Sequence, residues 1–223
     1  MGNAAQATPG RPASKEILGR LGISERAVVE AVRDGLAEGL ALDPAAPKIA
    51  PGFYAWAGTV ASIRRHLATD GWKLADKQNL PTIVSPDGRV RLIVASGDSG
   101  TGDPEAIPST SNPKGRAVEE HVRSNDPGRH QQIQLALDID VESNRDGAGA
   151  CQTWMLLYRH DIGTQASVAE VSLPLDIEGG KVTRWGDRAI IDTPMQFSAM
   201  EVRATDVSAF DDVDFEIHAA GEG

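Results

Sequence analysis

Residues 81–96 read PTIVSPDGRVRLIVAS, two β-branched runs around a Pro86-Asp87-Gly88 turn. Val, Ile and Thr lose rotamer freedom in a helix but pack well on a pleated surface. A glycine in the turn supplies the positive φ that reversing the chain requires. The stretch is therefore expected to be a β-hairpin. Downstream, QIQLALDIDVE (132–142) alternates apolar Ile133, Leu135, Leu137, Ile139 and Val141 with polar neighbours, the period of a half-buried strand. TWMLLYRH (153–160) is apolar enough for a central strand. VAEVSLPLDI (168–177) and KVTRW (181–185) flank Gly179-Gly180 as a second hairpin, and DDVDFEIH (211–218) alternates again.

Upstream the period changes from two to between three and four. Ser14 and Ser24 stand where N-cap hydroxyls belong, ahead of KEILGRL and ERAVVEAVRDGLAEGL. Val28, Val32 and Leu36 form one stripe, which Gly35 and Gly39 are expected to weaken. After a proline-rich connector from Asp43 to Gly52, Trp56, Val60, Ile63 and Leu67 mark a third helix that stops at Asp70-Gly71. Residues 97–115 form a long aperiodic loop, and a short helix is expected from Arg116 to Ser124. The expected organisation is a disordered tail over 1–13, a helical region over 14–72 and a sheet region over 73–223, the last two continuous. The fold class expected is α+β, with N-terminal helices packed on a mainly antiparallel sheet of about six strands.

Composition narrows function further. The 223 residues are 40% hydrophobic and 24% charged, the balance of a globular chain, with aromatics at only 4%. The core must then rest on Val, Ile, Leu and Ala. No apolar stretch reaches membrane-spanning length, and no apolar run follows the basic residue near the N-terminus, as a secretory signal would require. Cys151 is the single cysteine, which excludes an internal disulfide. These features lead us to expect a cytoplasmic protein, and the excess of Arg over Lys points to a bacterial or phage source. The net charge of −10 opposes broad phosphate neutralisation. Acids are concentrated after Trp72, 25 against 14 basic residues, whereas residues 1–72 carry 7 against 8.

Several motifs carry chemistry in outline. LIVASGDSGTG (92–102) sets Gly97-Asp98-Ser99 directly after an apolar strand and resembles the first block of SGNH (GDSL-type) hydrolases. That resemblance would make Ser99 a nucleophile beside Asp98 and a backbone oxyanion donor. Gly100 replaces the family's leucine, and Ser124-Asn125-Asp126 only loosely matches its asparagine block. Asp214 and His218 lie four apart instead of three. As turn chemistry, Gly-Asp-Ser-Gly needs no further role. Gly97 and Gly102 also have the spacing of a P-loop, but Asp103 stands where its lysine belongs.

Asp161 after the central strand and Glu170 on the next resemble the acids of PD-(D/E)XK nucleases, which would hold Mg²⁺ and activate water. The lysine is displaced, Glu178-Gly-Gly-Lys181 missing the spacing by one residue. Lys114-Gly115-Arg116 opens the short helix and could hold an anion at its positive dipole end. Two ladders, Asp138, Asp140, Glu142 and Asp212, Asp214, Glu216, would each share a strand face, more simply as a solvated face than as a cation site. Gly22 between the first two helices has helix-turn-helix placement, but the second helix mixes Arg26 and Arg33 with Glu25, Glu30 and Asp34. The five histidines form no ligand pair, so neither a metal site nor a cofactor is expected outside the nuclease alternative.

The reading that ranks first is a non-catalytic binding or accessory protein acting through protein–protein contact, by its sheet or its long loop. The alternatives are a metal-dependent nuclease-like or SGNH-like hydrolase using Asp98, Ser99, Asp161 and Glu170, and a helix-turn-helix DNA-binding regulator. No membrane partner is expected, and nucleic acid only through residues 24–38.

Overall fold

In the computed structural model the described residues are 14–77, 79–126, 151–161, 166–191 and 195–196. Three helices lead: α1 (Ser14–Leu21), α2 (Glu25–Leu40) and α3 (Ala50–Thr69). Ser24 caps α2, its hydroxyl accepting from the Ala27 N–H at 3.1 Å. Pro51 sits in the first turn of α3, where a missing N–H costs nothing, so the helix starts inside the proline-rich connector. Asp70 caps its end and Gly71, at φ +83°, turns the chain away.

Seven strands follow: β1 (Lys73–Lys77), β2 (Leu80–Val84), β3 (Val90–Ser96), β4 (Gln152–Asp161), β5 (Ala166–Glu178), β6 (Lys181–Ile190) and the two-residue β7 (Met195–Gln196). Helix α4 (Arg116–Arg123) lies between β3 and β4. The first six strands pair in chain order, and β7 pairs with the start of β5. Every pair is antiparallel except β3–β4, which is parallel. The fold is α+β, with the helices ahead of a mostly antiparallel sheet. The hairpin in the opening stretch is β2–β3, turned at Gly88 with φ +74°. The second hairpin is β5–β6, turned at Gly179 and Gly180, both with positive φ.

The strand period of two sorts side chains to two cores. On one face Ile83, Leu92, Trp154, Leu156 and Val171 pack with Ile17, Val28, Val32, Ile63 and Leu67 from α1–α3. On the other, Ile93, Met155, Leu157 and Val182 meet Val118 and Val122 of α4. Burying each such side chain contributes roughly 1.5–3 kcal/mol, which offsets the shortage of aromatics. Because a parallel pair needs a crossover, the chain leaves β3 and returns through α4 on the second face. The tail over 1–13 and both acidic ladders, with the strands proposed for them, fall outside the described residues.

Candidate functional site

The crossover opens with the 97–115 loop, which is anchored by many polar contacts. Its ends meet: Gly97 and Thr110 form a bridge, the Ser111 N–H donates to Ser96 O at 2.9 Å, and Ser111 Oγ donates to Gly97 O at 2.7 Å. The result is a compact Ω-shaped loop. Gly97 lies so close to Thr101 that a Cβ would stand 2.0 Å from its Oγ1. Gly102, at φ +79°, would drive a Cβ to 2.9 Å from Val168. The Asp98 carboxylate accepts from the Gly100 N–H at 3.0 Å, and the Thr101 N–H donates to Asp98 O. Gly-Asp-Ser-Gly is thus used as a turn.

Strands β5 and β6 hold the loop from below. Glu170 is 0% exposed, and its carboxylate accepts two bonds from Arg188, from Nε at 2.7 Å and Nη2 at 3.0 Å. Ser172 Oγ at 2.8 Å and the Gly102 N–H at 3.3 Å supply two more donors. A carboxylate offers about four lone-pair sites, so this one is filled. Arg188, 4% exposed, spends two of its three remaining donors on the loop carbonyls of Ala106 at 2.7 Å and Asp103 at 3.1 Å. Further along β6, Trp185 Nε1 donates to Pro108 O at 2.7 Å and Ser109 Oγ to Val182 O at 3.0 Å. Lys181 Nζ donates to Thr110 O at 2.7 Å and also to Ser111 O. A buried arginine, a lysine and a tryptophan all reach for backbone oxygens of one loop.

At the top of that loop Ile107 is 76% exposed, the most exposed large hydrophobic side chain among the described residues. Asp103, Pro104 and Glu105 are exposed beside it, and Ser99 is exposed in the preceding turn.

Among the residues proposed from sequence, Glu170 is a structural anion with no acceptor left for Mg²⁺, and the nuclease lysine candidate, Lys181, is a loop clamp. Asp161 closes β4 opposite Ala166, and its side chain lies outside the described residues. Among the described residues no cluster of three His, Cys, Asp or Glu could hold a metal ion, and Ser99 has no hydrogen bond to a histidine. The serine–histidine pair the structure does form is Ser167–His160, Oγ to Nδ1 at 2.5 Å. Ser167 is fully buried, and burial pushes the His160 imidazole down to about 3. With Ser167 buried and His160 neutral, the pair presents no exposed nucleophile. Asn125, from the loose SGNH match, bridges the sheet instead. It accepts from the Thr153 N–H at 2.8 Å and donates to the carbonyls of Thr153 and Pro174. Pro174 lacks the N–H with which to continue the β4–β5 ladder, and Asn125 fills that gap.

Lys114, Gly115 and Arg116 do open α4, with Gly115 as N-cap; the Lys114 N–H donates to Gly180 O. The helix-turn-helix candidate buries Ile17, Leu18, Leu21 and Ile23 in the core. The outward side chains of α2 are Arg26 and Arg33 against Glu25, Glu30, Asp34 and Glu38, with Arg26 paired to Glu30 at 2.8 Å. That face is not basic. Sequence reading missed Arg188; its signal was an arginine directly ahead of the apolar residues Ala189, Ile190 and Ile191.

No protein-family model matches the chain, and neither a curated protein nor a solved structure is similar to it.

Proposed function

We propose that this chain is a non-catalytic binding protein whose recognition element is the 97–115 loop, seated on a protein partner through Ile107. The supporting observation is the pairing of a rigid anchor with an exposed apolar tip. Burying an Arg–Glu pair gains little stability over an apolar packing of the same volume. Fixing a loop in one shape removes the ordering cost that binding would otherwise incur. An isoleucine held in water at the apex gains by insertion into a partner's apolar pocket, and the flanking Asp103 and Glu105 favour a basic rim. No helix among the described residues is long and apolar enough to cross a membrane, and we place this contact in the cytoplasm.

The test compares immobilised wild type, Ile107→Asp and Ile49→Asp as baits in lysate of the source organism. Ile49 is an exposed control at the start of α3, outside both the loop and the sheet. A protein retained by wild type and Ile49→Asp but lost with Ile107→Asp, at unchanged melting temperature, supports the reading. Identical retention on all three baits, or none on wild type, rejects it.

A further inference from the structure

We propose that the sheet at its β1 edge, on the α4 side, docks an extended segment of a partner protein in which acidic and apolar residues alternate. The register places Lys73 opposite Val84 and Lys77 opposite Leu80, and Val84 opposite Arg91. Directly opposed residues share a face. Lys73, Lys77 and Arg91 are therefore on one face, and it is the α4 face, because Arg91 Nη1 lies 3.1 Å from His121 Nδ1 of α4.

Among the described residues this cluster is cationic, in a chain of net charge −10. Among the described residues Lys73, Lys77 and Arg91 have no carboxylate partner. Arg91 instead donates to a histidine nitrogen, which must be unprotonated to accept. Burial, then the charges of Arg91 and Lys77, hold the His121 imidazole below its usual range, with Glu120 opposing. The charges of Lys73, Lys77 and Arg91 on one face make a positive field that favours an anion.

Three features select the occupant. Lys73 and Lys77 are four strand residues apart, about 13 Å, a span a single phosphate cannot bridge but carboxylates at every second residue of a strand match. β1 ends the strand order, and among the described residues nothing pairs with its outer edge, so an added strand finds a template there. Leu74, on the opposite face of β1, is 56% exposed, and the apolar residues of an alternating strand would cover it. A nucleic acid fits less well, because no Phe, Tyr or Trp stands in the cluster to stack bases. Arg91 is the second residue of β3 and the Ile107 loop leaves that strand's far end, so this surface does not depend on the loop reading.

The probe is a labelled, end-blocked decapeptide alternating Glu and Val at trace concentration, with a Gln–Val decapeptide, inorganic phosphate and a single-stranded oligothymidylate as comparisons. We expect the full chain to bind the Glu–Val peptide in preference to all three. Binding should weaken with salt and fall at least about tenfold in Lys73→Glu/Lys77→Glu. Both lysines are exposed, so that variant should melt like wild type. The His121 imidazole, followed by NMR, should titrate at higher pH with the Glu–Val peptide bound. Equal binding of the Gln–Val peptide, indifference to the double substitution, or tighter binding of the oligonucleotide overturns the proposal. So does self-association of the wild type that the double variant abolishes, because the occupant would then be a second copy. Loss of partner capture by Ile107→Asp has no bearing on any of these outcomes.

Discussion

Replacing Arg188 with Met, similar in length but uncharged, leaves the Glu170 carboxylate enclosed with only Ser172 and Gly102 to solvate it. Breaking one side of a buried pair typically costs about 3–5 kcal/mol, more than replacing both sides. Arg188→Met should therefore lower stability by that order in urea unfolding, and Glu170→Leu/Arg188→Met should recover part of it. The single variant should also be cut faster by protease within 97–115, since the Ala106 and Asp103 carbonyls lose their donor. A single variant within about 1 kcal/mol of wild type would show that the clamp is dispensable. His160 makes a pH prediction. Its imidazole, tilted at 48° to the Tyr158 ring with centroids 4.9 Å apart, is pushed by burial down to about 3. The unfolded chain, with an ordinary histidine near 6.5, binds a proton between those values that the folded chain does not. Stability is thus full above about pH 6.5 and declines on acidification toward pH 3. Between pH 7 and 5 the loss from this one group is about 2 kcal/mol. His160→Gln, which keeps a partner for Ser167, should lose less stability over that interval; an equal loss would remove His160 as the cause. His121, also lowered by burial and by Arg91, contributes in the same direction in both proteins.

At the level of elements, the glycines of α2 carry a meaning that helix propensity inverts. Propensity makes Gly35 a weak point, worth roughly 1 kcal/mol less than Ala. In the structure Gly35 is where α2 and α3 touch: a Cβ there would stand 2.0 Å from Thr59 Oγ1 and 2.4 Å from Ala55 O. Gly58 faces it, with the Gly35 Cα 3.0 Å from where its own Cβ would be. Gly35→Ala should accordingly destabilise by about 1–3 kcal/mol through overpacking, read from the urea midpoint, although Ala is the better helix former. A neutral or stabilising result would mean the helices separate without cost. This contact illustrates what the sequence could convey. The Ser24 cap, the β2–β3 turn and the Gly179-Gly180 hairpin depend on neighbours within a few residues, and all were legible. Strand β1 was not, because KLADK is an edge strand with little to bury and so shows no apolar alternation. The Gly35–Gly58 contact, the Asn125 bridge and the Glu170–Arg188 pair join residues at least 18 apart, and spacing along the chain carries no trace of such partners. The motif GDSGTG was legible as a turn, but its similarity to a nucleophile's surroundings came from the same small residues that let the loop fold back.

Across the whole molecule, the sequence suggested a helical region and a sheet region, and the main core joins them. Trp154, Leu156 and Val171 of the sheet are buried against Ile17, Val28 and Ile63 of the helices. Arg20 of α1 reaches Asp187 of β6 at 2.5 Å, and Trp56 of α3 donates to Val94 O of β3 at 3.2 Å. Taking away the helices would expose one entire face of the sheet, far more apolar area than an isolated sheet region could leave in water. The chain should then unfold in a single transition. Tryptophans at 56, 72, 154 and 185 sample α3, the approach to the sheet, the central strand and β6, so their fluorescence reports on both regions, while far-UV circular dichroism weights the helices. Coincident urea midpoints from the two probes are expected, together with failure of residues 73–223 alone to give a cooperative transition. Two separated midpoints, or a cooperatively folding 73–223 fragment, would mean that the helices are an appended domain and that the shared core contributes little to holding the sheet in place.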